Sequence, residues 1–317
     1  MPGDKFKKFE RADFTKIKNY PIKERKNKVS IDDFADIAKY KKTKNLSDLM
    51  PRQLKAVELK EIVSAVRKAQ KNGKGIIFAL GAHVIKTGCS PIIIDWIERG
   101  VITGVAFNGA GAVHDLEIAM IGATSEDVEE EVKTGRFGMV EETASATTAA
   151  LEKYGDAGFG QAIGQGIIDE DLPHAGHSIL AACAQAGIPA TVHASIGCEI
   201  THIHPKADGA LIGKKSFDDF KIFTATLKTL SGGGCYFNVG SAVILPEVFI
   251  KALSAARNLG DDVKDFITVD FDMIRHYRPS VNVVRRPVTT GGRGYHVTGH
   301  HELLLPMLYH LFEDDGY

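Results

Sequence analysis

Residues 75–124 read GIIFALGAHVIKTGCSPIIIDWIERGVITGVAFNGAGAVHDLEIAMIGAT. An apolar run, Gly75–Leu80, ends at Gly81. A helical pattern follows over Ser90–Arg99, with Pro91 near its start and Gly100 just past its end, the positions each residue favours. A second apolar run, Val101–Phe107, meets the turn Asn108–Ala112, and another helix is expected over Val113–Ile121. This is a βαβα unit whose strands are too apolar for a half-exposed sheet. Ligands of such units lie beyond the carboxyl ends of the strands. His83, Lys86, Asn108, Gly109, Gly111, His114 and Asp115 fall there.

Outward from this unit, helices and strands keep alternating. Upstream, Ser30 is placed to cap a short helix over Ile31–Tyr40, and Arg52–Gln70 has an amphipathic pattern. Downstream, helices are expected near 138–154, up to 168, 178–186, 217–230, 246–258 and 302–312. Strands are expected at Pro189–His193, Cys235–Val239, Phe266–Asp270 and, briefly, Val281–Val284. The pattern predicts a doubly wound, mainly parallel α/β sheet of five to seven strands. Residues 1–50 read as a basic N-terminal extension with a short helix, and 51–317 as one α/β domain.

The chain has 317 residues, 44% hydrophobic and 25% charged, an ordinary globular mix. Its net charge of −1 argues against nucleic acid as a partner. Residues 1–45 carry 14 Lys/Arg against 7 Asp/Glu, so the basic charge is concentrated in the extension. No apolar run approaches the roughly 20 residues needed to span a bilayer, and the N-terminus lacks the apolar core of a secretory signal. Cys89, Cys183, Cys198 and Cys235 form no paired motif and read as reduced thiols of a cytoplasmic protein.

Three turns are glycine-rich: Asn108–Ala112, Gly240-Ser241 and Thr289–Gly294. Glycine there admits the backbone to a phosphate or serves the turn itself. None is a Walker A loop, and NGAGAVHD is an incomplete GxGxxG, with His114 in the third glycine's place.

From about Leu54 to Phe312 the chain resembles the deoxyhypusine synthase family. The similar elements are the Gly81–Gly88 loop, the Asn108–Asp115 turn, Ile188-Pro189 followed by Ser195-Ile196-Gly197, Asn238-Val239-Gly240 with Ile244-Leu245, and the closing Leu303–Leu308 helix. The resemblance implies NAD in a Rossmann-like fold and homotetramers with sites at subunit interfaces. It also implies transfer of an aminobutyl group from spermidine through an enzyme-lysine imine, or use of putrescine in some relatives. The family's cofactor turn corresponds to Gly109, Ala110 and Gly111, its following acid to Asp115, its Thr-Gly turn to Val239-Gly240, and its Asp-Ala pair to His300 and His301. The substrate side departs from the family. The polyamine-binding aspartates land near His193 and Cys198, and the family's histidine near Ala252. No lysine follows Lys264, and Arg285-Arg286 stand about where the imine-forming lysine belongs. Arginine stays protonated and is a poor nucleophile, so the family's covalent step is not expected here.

Imidazole replaces the missing groups. His193, Cys198, Glu199, His202 and His204 crowd one stretch, and His300 and His301 lie at another strand end, with His296 just before. These residue types serve as acids and bases or as ligands of zinc or iron. Asp169-Glu170-Asp171 with His174 and His177 forms a polar loop, and Lys86 is a candidate phosphate contact.

Three readings follow. The first is an NAD-dependent enzyme acting on an amine or small polar substrate, with Asp115, His193 and His204 as acid–base candidates and Gly109, Ala110, Gly111, Asp115, Gly240, His300 and His301 at the cofactor. The second is a zinc- or iron-dependent enzyme built on His193, Cys198, His202 and His204. The third is a non-catalytic nucleotide-binding relative.

Overall fold

The structure is a computed structural model and describes residues 13–21, 24, 28 and 30–314. Its strands are β1 (Ile76–Leu80), β2 (Gly104–Asn108), β3 (Ala190–His193), β4 (Cys235–Val239), β5 (Phe266–Asp272) and β6 (Gly292–Thr298). They form one sheet in the order β3-β2-β1-β4-β5-β6, with every neighbouring pair parallel. Parallel neighbours need crossover connections, and helices supply them. The principal ones are α1 (Leu54–Lys71), α2 (Ser90–Glu98), α3 (Gly109–Ile121), α4 (Glu141–Lys153), α5 (Phe159–Asp169), α6 (Ile179–Ala186), α7 (Gly209–Thr226), α8 (Ile244–Asn258) and α9 (His301–Glu313). The fold is the doubly wound, Rossmann-like α/β class that the alternation predicts.

Every residue of β1, β3 and β4 is buried, because helices cover both faces of the sheet. Side chains alternate between two cores, as the period of a strand requires. Phe78, Leu80, Phe237 and Phe271 join a larger core with α1, α2, α3, α5, α6 and α9. Ile77, Ala79, Tyr236 and Phe266 face a smaller one with α7 and α8. Phe78 and Phe237 are register partners, and their rings stack at 4.4 Å across the central strand pair.

Four local expectations are corrected. The helix expected over Ile31–Tyr40 divides into a 3-10 turn, Ile31–Asp33, capped by Ser30, and a helix, Ile37–Thr43, capped by Asp36. α3 begins at Gly109 rather than Val113, because the Asn108 side chain accepts from the Gly111 N–H at 2.9 Å and starts the helix four residues early. Val281–Val284 is not a strand but part of a π-helical segment, Ser280–Arg285. Three consecutive buried residues there, Val281, Asn282 and Val283, imitate a doubly covered strand. The glycines of 289–294 lead into the start of β6 and so lie at the edge opposite the strands' carboxyl ends.

The Ser47 N–H donates to Asp314 Oδ2, and Arg67 donates to the carbonyls of Phe312 and Asp314, so the segments before and after the sheet are tied together. Among the described residues no helix is long and apolar enough to cross a membrane. Cys89, Cys183, Cys198 and Cys235 are free, and only Cys198 is exposed.

Candidate functional site

The parallel sheet puts all its carboxyl ends on one edge, and the strand order reverses between β1 and β4. At that switch point two glycines meet. The Gly81 N–H donates to Val239 O and the Gly240 N–H to Phe271 O. A Cβ on Gly81 would lie 2.1 Å from the Gly240 carbonyl oxygen, so no side chain fits between the two turns. Gly240 is left-handed, with φ of 71°.

His301, the first residue of α9, packs its ring against Gly240. Its Nε2 lies 3.3 Å from Phe271 O, which makes Nε2 the donor, and its Nδ1 is buried without a partner. Burial lowers the basicity of this ring. The His83 ring stands edge-on to it at 5.6 Å, while His300 is exposed.

Farther along the same edge, a cleft of about 540 Å³ opens between α7, α8 and the end of β3. His193, Ser195, Ser216, Phe217, Glu247 and Lys251 line it. His193 is 4% exposed, and burial pushes its pKa down to about 4, so the ring is neutral at pH 7. Thr191 Oγ1 donates to Val105 O and stands 3.1 Å from His193 Nε2. With the hydroxyl proton engaged there, Nε2 is the donor and the lone pair stays on Nδ1.

Other predicted site residues serve the fold. Asp115 is 0% exposed, and its two oxygens accept from Ser178 Oγ, Ile179 N and Leu180 N at 2.5, 2.8 and 3.0 Å. It anchors the start of α6, with both oxygens engaged inside the chain. Its pKa is raised to about 6, because burial outweighs these three hydrogen bonds.

Gly109, Ala110 and Gly111 form the first turn of α3, a place suited to an anion, but the chain fills it with its own carboxylate. Glu199 accepts from the Gly109 and Ser195 N–H groups, and a Cβ on Gly111 would lie 2.4 Å from the Phe107 ring. These glycines serve close packing.

The proposed metal set does not assemble. His202 Nδ1 lies 3.1 Å from Glu199 Oε2, His204 is half-buried with its Nδ1 accepting from Lys206 N, and Cys198 is exposed. His193 faces a different cleft from Cys198. Among the described residues, no group of three or more His, Cys, Asp or Glu side chains is arranged to hold a metal ion. Lys86 lines a smaller cleft, of about 240 Å³, with His114, Glu117, Cys198 and Glu199. The 169–171 loop stands apart, with Asp169 bound to Tyr154 and Gln165.

Sequence reasoning missed a buried polar relay across three strands. Asn238 Nδ2 donates to Asp270 Oδ1 at 2.8 Å and to Ser241 O at 3.0 Å, and Asp270 Oδ2 pairs with His296 Nδ1 at 3.0 Å. The available signal was a polar residue inside each of two apolar strands, CYFNV and FITVDFD, since buried polar groups need partners.

No protein-family model and no curated protein matches the chain. Solved structures share its fold. A protein of Methanococcus maripaludis S2 described as a conserved LOR/SDH protein has a TM-score of 0.52 at 19% identity, over 82% of this chain and 70% of that one. AgrE in ternary complex with ornithine and NAD+ has a TM-score of 0.51 at 14% identity, over 81% of this chain and 33% of its own. This chain therefore spans about a third of AgrE's length. A protein of Entamoeba histolytica described as a deoxyhypusine synthase has a TM-score of 0.50 at 10% identity, over 85% of this chain and 93% of that one. At these identities the likeness is one of fold, and the chain shares the α/β architecture on which those proteins are built.

Proposed function

We propose that the chain is an NAD-dependent enzyme acting on a small amine or similar polar substrate at the carboxyl edge of its sheet. The observation that carries this reading is the reversal of strand order between β1 and β4, where Gly81 and Gly240 meet. Dinucleotides lie in that crevice in doubly wound sheets. The residues there suit such a group. Left-handed Gly240 has the His301 ring where a Cβ would be, and His301 Nδ1 is a buried acceptor that a bound polar group would complete. We therefore assign cofactor contacts to Gly240, His300 and His301, and leave out the turn at Gly109, Ala110 and Gly111, where Glu199 already fills the helix start, and Asp115, whose oxygens are engaged internally.

NAD, when bound, supplies a two-electron acceptor. The protein's part is to hold the substrate and accept its proton. The cleft beside β3 has an apolar wall, Phe217 and Phe220, and Glu247, whose carboxylate is already paired with Lys251, Arg278 and Asn282. His193 offers a neutral imidazole whose lone pair is on Nδ1. AgrE binds ornithine and NAD+ in one crystal, and we extend that pairing of an amine with NAD to this chain. Formation of deoxyhypusine is not part of the proposal, because no lysine follows Lys264. By resemblance we also propose a homotetramer, and the free cysteines are consistent with a cytoplasmic protein.

The test is calorimetric titration of the purified protein with NAD. Micromolar binding supports the reading and justifies screening amines by the absorbance of the reduced cofactor. No binding at millimolar NAD overturns it. Binding without turnover on any amine would reduce the protein to a nucleotide-binding relative.

A further inference from the structure

The cleft of about 240 Å³ that Lys86 lines is built at three strand ends. Lys86 closes the helical turn His83–Lys86 that follows β1, His114 and Glu117 stand on α3 after β2, and Cys198 and Glu199 follow β3. This is the edge where a doubly wound sheet takes its ligands. The cleft is distinct from the one that His193 lines. It has room for about eight waters at their share of liquid volume, enough for a small metabolite.

His114 and Glu117 are one helical turn apart, and Thr124, just past the end of α3, joins them. Thr124 Oγ1 donates to Glu117 Oε2, and His114 Nδ1 lies 2.5 Å from the same Oγ1. The hydroxyl has one proton, and the carboxylate has none to offer. Both contacts are hydrogen bonds only if Nδ1–H donates to Thr124, so the ring's lone pair is on Nε2. The His114 side chain is 18% exposed, and among the described residues its Nε2 has no hydrogen-bond partner and is not one of the buried unpartnered atoms. Burial lowers the basicity of the ring, opposed by Glu117 and helped by Lys86, so at pH 8 it is a neutral acceptor.

The rest of the lining decides what meets that acceptor. Its three carboxylates are each held from within the chain: Glu117 by Thr124 and Thr143, Glu126 by the Gly138 N–H, and Glu199 by the Gly109 and Ser195 N–H groups. Lys86 is exposed and, among the described residues, has no hydrogen bond or ion pair. The charged or basic groups left unengaged are therefore one ammonium, which fits a carboxylate, and one imidazole lone pair, which fits an N–H. A lone anion would meet the charge of Glu117, Glu126 and Glu199, and a lone amine would meet that of Lys86. A small zwitterion answers both.

We infer that this cleft binds a small 2-amino acid, with its carboxylate on Lys86 Nζ and an N–H of its ammonium group on His114 Nε2. The inference does not rest on the cofactor reading.

The test is calorimetric titration of the full-length protein at pH 8 with L-norvaline, with pentanoate, which lacks the amine, and with butylamine, which lacks the carboxylate. L-Norvaline should bind at millimolar concentration or below. Each analogue should bind at least about tenfold more weakly, because each loses a charge-assisted hydrogen bond. Lys86→Met, a change at an exposed side chain, should weaken L-norvaline by a similar factor with an unchanged circular dichroism spectrum. Long-range 1H–15N NMR on imidazole-labelled protein should show Nδ1–H on His114 and a shift of its Nε2 resonance when L-norvaline is added. No binding of L-norvaline, an analogue that binds as tightly, an unchanged affinity in Lys86→Met, or a wild-type ring with Nε2–H each overturns the inference. Failure here leaves the NAD titration as it stands, and failure to bind NAD leaves this site as it stands.

Discussion

Glu199 occupies the start of the helix that begins at Gly109: a Cβ on that glycine would lie 2.4 Å from the Glu199 carboxyl carbon. The anion-binding end of α3 is thus satisfied from within the chain. Gly109→Ala should push Glu199 aside and destabilise the protein by about 1–3 kcal/mol, the usual cost of overpacking. Its urea midpoint should fall, while the affinity of the folded variant for NAD stays within about threefold of wild type. A large loss of affinity at full fold would return the cofactor to this turn.

Gly240→Ala should act in the opposite way. The left-handed φ of 71° costs an L-residue about 1 kcal/mol, and the new methyl group would press on the His301 ring at 2.9 Å. We expect an unchanged circular dichroism spectrum and an NAD affinity lowered at least about tenfold, because the methyl group displaces the His301 ring that we assign to the cofactor. Calorimetry on the two glycine variants side by side separates the two cofactor placements.

Asp115→Ala removes the acceptor of Ser178 Oγ and of two N–H groups at the start of α6. Leaving buried donors unpaired costs about 3 kcal/mol or more. The variant should unfold at much lower urea, and Asp115→Asn, which keeps one acceptor, should lie between it and wild type. A variant as stable as wild type but catalytically dead would restore Asp115 to the active site.

His193 gives stability a pH dependence of known sign. Its folded pKa of about 4 lies below the ordinary 6.5, so between those values the unfolded chain takes up a proton that the native state does not. The resulting stability is fully present above pH 6.5 and is lost as pH falls toward 4. For a group so buried the difference reaches about 3 kcal/mol. Urea titrations at pH 7, 5.5 and 4.5 should show wild type losing more stability than His193→Gln. Parallel curves would place the ring in contact with water.

Local order was legible in the chain itself. The apolar runs at 75–80, 101–107 and 235–239, the glycines that follow helices and the cap at Ser30 act over a few residues. A linear reading therefore located the elements and the class of sheet. The segment at 281–284 misled because its burial comes from packing on more than one side, which has no period of its own.

The site was only partly legible, for a related reason. Composition along the chain marked Gly109, Gly111, Asp115 and the histidine-rich stretch, since they are unusual residues near strand ends. Whether each meets a ligand depended on what approaches from elsewhere: Glu199 at Gly109, Ser178 at Asp115, and Gly81, some 160 residues away in sequence, at Gly240. The sequence by itself determined the alternation of strands and helices, and with it a parallel sheet whose strand ends share one edge. Only the tertiary structure decided which turns on that edge are filled from within the chain and that Asn238, Asp270 and His296 form one relay. Satisfying buried charges and donors is a contest among distant groups, and no local pattern records which one wins.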